Sequence, residues 1–292
     1  MAAPVDEGVY LQECFQSLVT KCENEMQNST DDSKHLLDCC MSRCKKIIQT
    51  LKDNDSSTDQ DDKVVKALRE YAQAVLDYTY VDECLLAEED FPEADCKDRV
   101  HEIFCYLDKI EQVVTHCFAE KTLGVVLGTD IMECLFWRRG ALLYMYCCTV
   151  HKDKARVRNN IQDFKQCLWK GVHHLKNVLS IREPSGATSA CTNDHDTLGL
   201  LNIGAYSDTH LLSMMYAGDM CYWYLTVDSE TQSDTASPTG GHNRGLVEED
   251  ISMKESGKEM LNAYLKAVHG PLAGLGWNSQ RAEDLMKFFS SL

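Results

Sequence analysis

The chain has 292 residues, with 29 Lys and Arg against 46 Asp and Glu, a net charge of −17, 44% apolar residues and 15 cysteines. That length buries a full core without disulfide or metal staples. The acidic balance argues against nucleic acid as the main partner and against simple docking on anionic lipid, since both require clustered Lys and Arg.

In chain order, Leu11, Cys14, Phe15, Leu18, Val19 and Cys22 recur at three- and four-residue steps, which predicts a first amphipathic helix. A second stripe runs Leu37, Cys40, Met41, Cys44, Ile47, Ile48, Leu51, with Ser29 or Thr30 as its cap. Residues 53–62 contain five aspartates and no apolar side chain, and they read as an acidic flexible linker. A calcium loop is a poor fit there, because Thr58 stands where glycine is needed and Val64 where glutamate is needed. Helical spacing resumes from Val64 to Thr79 and is expected to stop before Phe91-Pro92. The stripe Val100 to Cys117 follows, and Gly124 and Gly128 mark a break. A helix capped by Thr129 or Asp130 then reaches about Val150, and a long amphipathic helix runs from Val157 to Leu179. Residues 185–194 read as loop. From Leu198 to Tyr224 the chain is apolar almost all round, as befits a central buried helix or a broken pair, with Ser207 or Asp208 as a cap. Residues 228–247 read as a disordered polar insertion, and two helices joined by Gly270-Pro271 close the chain.

The pattern predicts nine or ten helices and no strand. The expected fold is all-α: a single layered helical bundle, one domain over 1–292, with two disordered polar insertions at 53–62 and 228–247. The cysteines show no C-x-x-C spacing, and the acidic start Met1 to Glu7 lacks an apolar signal core. Reduced thiols packed as small core residues, in a cytosolic protein, are therefore expected. The longest uncharged apolar run, Gly140 to Val150, is too short to span a bilayer, which takes about 20 residues.

The most informative local feature is Trp137-Arg138-Arg139-Gly140, because two arginines interrupt an apolar stretch from Cys134 to Val150. A buried guanidinium requires partners, and Asp77, Asp82, Asp208 and Asp219 are candidates, each set in an apolar helix. A structural ion-pair network and an anion or partner site are the main readings; an arginine finger acting on a GTPase is a third, and the position inside an apolar helix counts against it. Met214, Met215, Tyr216, Met220, Cys221, Tyr222 and Trp223 form a soft aromatic–thioether cluster, either core or adaptable groove. Gly204 and Gly218 offer places for close helix approach. Trp137, Arg138, Arg139, Asp208, His210, Asp219 and Trp223 are thus taken together as candidates for partner binding or structural ion pairing. His195-Asp196, with His173 or His174 upstream and Asp208 downstream, invites comparison with HD-type metal-dependent phosphohydrolases, which need such side chains to converge on a metal. Asp196 reads more simply as a helix cap. No phosphate loop, dinucleotide fingerprint, nucleophile elbow or zinc-protease motif occurs. The reading therefore names no catalytic residue, no metal and no cofactor.

Three stretches carry a family resemblance: Tyr71 to Asp77 through Glu89-Asp90-Phe91-Pro92-Glu93; Glu133-Cys-Leu-Phe-Trp-Arg-Arg-Gly-Ala-Leu-Leu-Tyr-Met-Tyr-Cys147; and Tyr206-Ser-Asp-Thr-His-Leu-Leu-Ser-Met-Met-Tyr-Ala-Gly-Asp-Met-Cys-Tyr-Trp223. Gly270-Pro271-Leu272, Trp277-Asn278 and Phe288-Phe289 add to it. The chain, over roughly 64–290, resembles the Rab-interacting subunit family of the Mon-one/Ccz-one complex. The resemblance implies a non-enzymatic cytosolic adaptor that binds a late-endosomal Rab GTPase (Rab-seven) and its Mon-one/Ccz-one exchange complex. It further implies protection of the GTPase from degradation and its recruitment, with autophagy vesicles, to damaged mitochondria during mitophagy. Membrane association would pass through partners. Two other readings compete: the HD-type phosphohydrolase, and a purely structural subunit of the exchange complex.

Overall fold

The computed structural model describes residues 7–27, 31–52, 60–182, 207–232 and 248–292. Among them the chain forms eleven helices and no strand. The all-α class follows from the sequence pattern: apolar side chains at helical steps and few prolines. The described residues cluster as two compact units, Met1–Leu135 and Phe136–Leu292.

The first unit contains α1 (Glu7–Glu25), α2 (Asp31–Lys52), α3 (Gln60–Glu88), α4 (Cys96–Cys117), α5 (Leu123–Leu127) and the start of α6 (Thr129–Lys152). The long α3 is central and packs against α1, α2, α4 and α5. Its Leu68, Ala72, Ala74 and Val75 are fully buried, as are Leu11 and Phe15 of α1, Leu37 of α2 and Leu107 and Ile110 of α4. Tyr71 meets Phe15 edge to face at 5.4 Å. Between α1, α2 and α3 the Cys22 thiol donates to Cys40 Sγ at 3.7 Å, and the Cys40 thiol donates to the Ala74 carbonyl at 3.2 Å. These are small core residues whose S–H groups find acceptors inside the core, and the described cysteines are all free thiols.

Two helix ends differ from the sequence expectation. α3 starts at Gln60, so the last three residues of the expected 53–62 linker are helical, with Asp61 and Asp62 in the first turn where acids complement the helix dipole. Residues 53–59, and the caps Ser29 and Thr30, lie outside the described residues. The expected break at Gly124 contains a short helix, and only Gly128, with φ +82°, closes it. The Arg69 Nε–H donates to the Val126 carbonyl at 2.7 Å and thereby satisfies one carbonyl left over at the end of α5. The stop of α3 before Phe91-Pro92 is a Schellman turn. Asp90 takes the left-handed position (φ +53°), its N–H donates to Ala87 and that of Phe91 donates to Leu86.

The second unit holds the rest of α6, then α7 (Lys154–Asn159), α8 (Ile161–Ser180), α9 (Asp208–Gln232), α10 (Glu248–His269) and α11 (Gln280–Ser291). The apolar α9 is central and packs against α7, α8, α10 and α11. The helix expected to run unbroken from Val157 to Leu179 is two. Asp153 caps α7 by accepting from the N–H groups of Ala155 and Arg156 (3.0 and 3.1 Å), and Asn160, at φ −141° and ψ 44°, steps out of the helix before α8. Both residues have short polar side chains that compete for backbone groups. α9 continues to Gln232, so the first residues of the expected 228–247 insertion are helical. Residues 185–194, 198–206 with Gly204, and 233–247 lie outside the described residues. Gly218 does permit close approach: a Cβ there would sit 2.5 Å from Leu261 Cδ2 of α10.

Candidate functional site

The tryptophan–arginine string lies in α6 and the aromatic–thioether cluster in α9. Within the second unit these helices interleave their rings. Trp137, Tyr144 and His151 stand seven residues apart on α6; Tyr216 and Trp223 stand seven apart on α9. Seven residues are two turns, so each set shares one helix face, and they advance roughly 10.5 Å, which leaves room for one ring from the opposite helix between successive rings. The result is a column. Trp137 stacks on Tyr216 (5.8 Å, 17°), Tyr216 on Tyr144 (3.7 Å, 6°), Tyr144 on Trp223 (5.5 Å, 22°) and Trp223 on His151 (5.2 Å, 22°). Phe164 of α8 closes the end beside His151 at 6.3 Å. Trp223 is buried, while Trp137, Tyr144, His151 and Tyr216 are each half-buried.

Beside the column, Asp219 of α9 accepts from Arg281 of α11 through both Nε (2.9 Å) and Nη2 (2.8 Å). The Tyr144 hydroxyl faces the same carboxylate. Burial raises the Asp219 carboxyl above its ordinary value, and the Arg281 charge opposes that shift without cancelling it. Burial likewise pushes up the Tyr144 phenol. Arg281 also lies over the Tyr222 ring at 5.3 Å, and Tyr222 meets Phe288 edge to face at 4.8 Å.

Arg139 is buried (7% exposed), as its place in an apolar run implies, and Arg138 is half-buried. The Arg139 charge acts on His174 of α8, whose pKa is lowered to about 4 by burial first and by Arg139, His173 and Lys170 after it. Next to it, Gly140 lets α8 come close: a Cβ there would lie 2.6 Å from Leu175 Cδ2 and 3.3 Å from the Leu175 backbone nitrogen. Two of the four acids proposed as arginine partners make ion pairs elsewhere. Asp219 takes Arg281, and Asp77 takes Arg43 at 3.3 Å in the first unit. Asp82 lies in the field of Arg99, and Asp208 is exposed at the start of α9.

Of the seven candidate residues, the structure therefore gathers Trp137, Asp219 and Trp223 around one column. Asp208 and His210 sit in the first turn of α9, before Tyr216. There the Ser207 hydroxyl caps the helix, accepting from the His210 N–H at 3.4 Å and lying 2.9 Å from His210 Nδ1. Sequence reasoning named Tyr216 in the aromatic–thioether cluster with Trp223 but missed Tyr144, His151 and Arg281 as its neighbours. The signal was present as ring residues repeating every seven positions on two separate helices. His195 and Asp196 lie outside the described residues. His173 is exposed and stacked on Trp169 at 5.9 Å. Among the described residues no group of three or more His, Cys, Asp or Glu is arranged to hold a metal ion, and no helix is long and apolar enough to cross a membrane.

Residues 36–290 match the family model described as RAB7A-interacting MON1-CCZ1 complex subunit 1. A protein of that description from Danio rerio is 30% identical over 287 residues, covering 98% of this chain and 99% of its own length. Homo sapiens and Mus musculus proteins of the same description are each 34% identical over 223 residues, covering 75% of this chain and 76% of theirs. No solved structure matches.

Proposed function

The chain belongs to the family of RAB7A-interacting MON1-CCZ1 complex subunit 1, and on that premise we propose that it is a non-enzymatic adaptor that binds the Rab GTPase RAB7A and the MON1-CCZ1 exchange complex. The observation that carries the reading is the family match over 36–290 together with a relative aligned across nearly the whole chain. Half-buried aromatic rings beside a charged pair, as in the α6–α9 column, suit protein recognition, in which Trp, Tyr and Arg supply most of the binding energy. The finer reading is that the adaptor stabilises the GTPase and brings it, from the cytosol, to damaged mitochondria during mitophagy, with membrane contact made through partners.

The test is direct binding. Purified chain is titrated with RAB7A loaded with GDP or a GTP analogue, and separately with the MON1-CCZ1 complex. Saturable binding of both is expected. Binding of the complex alone would leave a purely structural subunit, and binding of neither would overturn the adaptor reading. For the finer step, co-purification from cells with and without a mitochondrial uncoupler should show both partners enriched after uncoupling; unchanged recovery would remove the mitophagy role.

A further inference from the structure

We propose that the groove between α2 and α3 is a docking site for an acidic segment of a protein partner. The inference deepens the adaptor reading and rests on it.

The groove lies wholly within the first unit and has a volume of about 870 Å³. Its floor is apolar, with Ile47 of α2 and Ala67 of α3 both buried. Its rim is basic: Arg43 and Lys46 stand on α2, and Lys63 and Lys66 on α3. Among the described residues Asp62 and Glu70 are the acids that line it, and Arg43 engages Glu70 at 2.8 Å and Asp77 at 3.3 Å, which fixes one end. Among the described residues four lining cations stand against two lining acids, and counting Asp77, which Arg43 also holds, leaves the groove at +1 on a chain whose net charge is −17. Lys46 and Lys66 are exposed, one on each wall.

Complementarity selects the occupant. An acidic partner is repelled by most of this surface and attracted here, so the same charge pattern that opposes nonspecific association would guide it to one register. From Ser42 to Leu51 the α2 wall advances roughly 14 Å, the length of about nine residues of helix. An apolar floor between basic walls is the shape for a short amphipathic segment with apolar residues on one side and Asp or Glu on its flanks. A lipid surface fits less well, because the chain as a whole carries −17 and a groove suits an inserted segment better than a flat anionic bilayer.

Lys46→Glu with Lys66→Glu reverses both walls at exposed positions, and Lys46→Gln with Lys66→Gln neutralises them. Lys170→Glu with Lys266→Glu, exposed in the second unit, is the control with the same change of net charge. Each full-length variant, checked for unchanged helicity, is titrated with RAB7A and with the MON1-CCZ1 complex. The expected result is at least tenfold weaker binding of one of the two for the Glu pair, a smaller loss for the Gln pair, and a change within twofold for the control. Carbodiimide, which joins lysine amines to carboxylates, should link Lys46 or Lys66 to Asp or Glu of that partner in the wild-type complex. Unchanged affinity of the Glu pair while wild type binds overturns the groove and leaves the adaptor reading standing. Wild type that binds neither partner overturns both. Crosslinks confined to Asp53, Asp55 or Asp59 of the same chain assign the groove to its own linker instead. Binding to vesicles containing phosphatidylserine and phosphatidylinositol 3-phosphate that the Glu pair abolishes, with partner affinity unchanged, assigns it to lipid.

Discussion

His174 is neutral where it lies, and that gives the chain an acid-sensitive point. Its pKa falls from 6.5 to about 4 through burial and the nearby Arg139. The unfolded chain therefore binds a proton between those values that the folded chain refuses, and stability declines as pH falls through that window. The loss is on the order of 2–3 kcal/mol by pH 4, from the size of the shift. His174→Gln should remove that part of the slope, so the wild-type-minus-variant difference in urea midpoint should shrink between pH 7 and 4; a constant difference would reject the assignment. Gly140 and Gly124 make a contrasting pair. A Cβ at Gly140 meets Leu175 at 2.6 Å, whereas one at Gly124 meets nothing within 4 Å. Gly140→Ala should destabilise by about 1–2 kcal/mol through overpacking, and Gly124→Ala should stabilise by about 0.5–1 kcal/mol through helix propensity. Denaturant unfolding of both checks the sign. At this scale the sequence was legible where burial and charge conflict. Arg139 declared itself as a cation in an apolar run, but its influence on His174, 35 positions away, needed the packing of α6 on α8.

The α6–α9 column is held by ring stacking along two helix faces, so its members should be unequal. Trp223 is buried between Tyr144 and His151, and Trp223→Ala should cost about 3–5 kcal/mol. Trp137 has one stacking partner in Tyr216 and is half-buried, so Trp137→Ala should cost less than half as much. A variant at Trp137 that folds normally but loses RAB7A or the exchange complex would mark that end of the column as a contact surface; retained binding would mark it as structural. Helix existence was readable throughout from three- and four-residue spacing, because burial of one face dictates that spacing. Helix limits were less so. The polar run ending at Asp62 enters α3 because acids favour a first turn, and the stripe Val157 to Leu179 breaks at Asn160 because a polar side chain there competes with the backbone. Apolar periodicity is blind to both effects.

Across the whole molecule the boundary between the two compact units falls inside α6, between Leu135 and Phe136. The single-domain reading of the chain therefore has a plain test: one calorimetric transition, with van't Hoff and calorimetric enthalpies equal, is expected, and two resolved transitions would divide the chain. The net charge of −17 is a property of the same scale. Where a partner presents a basic region to it, the association rate should fall as salt rises and screening shortens the reach of the field; a rate independent of salt would remove such steering from the account. Composition indicated that charge but not its distribution, since the basic groove between α2 and α3 arises only when residues twenty positions apart are folded side by side.

The aromatic column also gives the protein an optical handle of its own. Tyr216 and Tyr144 lie nearly parallel at 3.7 Å, and Trp223 lies between Tyr144 and His151. Rings this close, in fixed and asymmetric order, couple their electronic transitions, so the folded chain should carry an intense near-ultraviolet circular dichroism band. Trp169, 47% exposed on α8, supplies a solvent-facing emission of longer wavelength against which the shielded Trp223 can be read. A ligand that disturbs α6 against α9 would thus report itself in the spectrum of the unlabelled protein, without a dye.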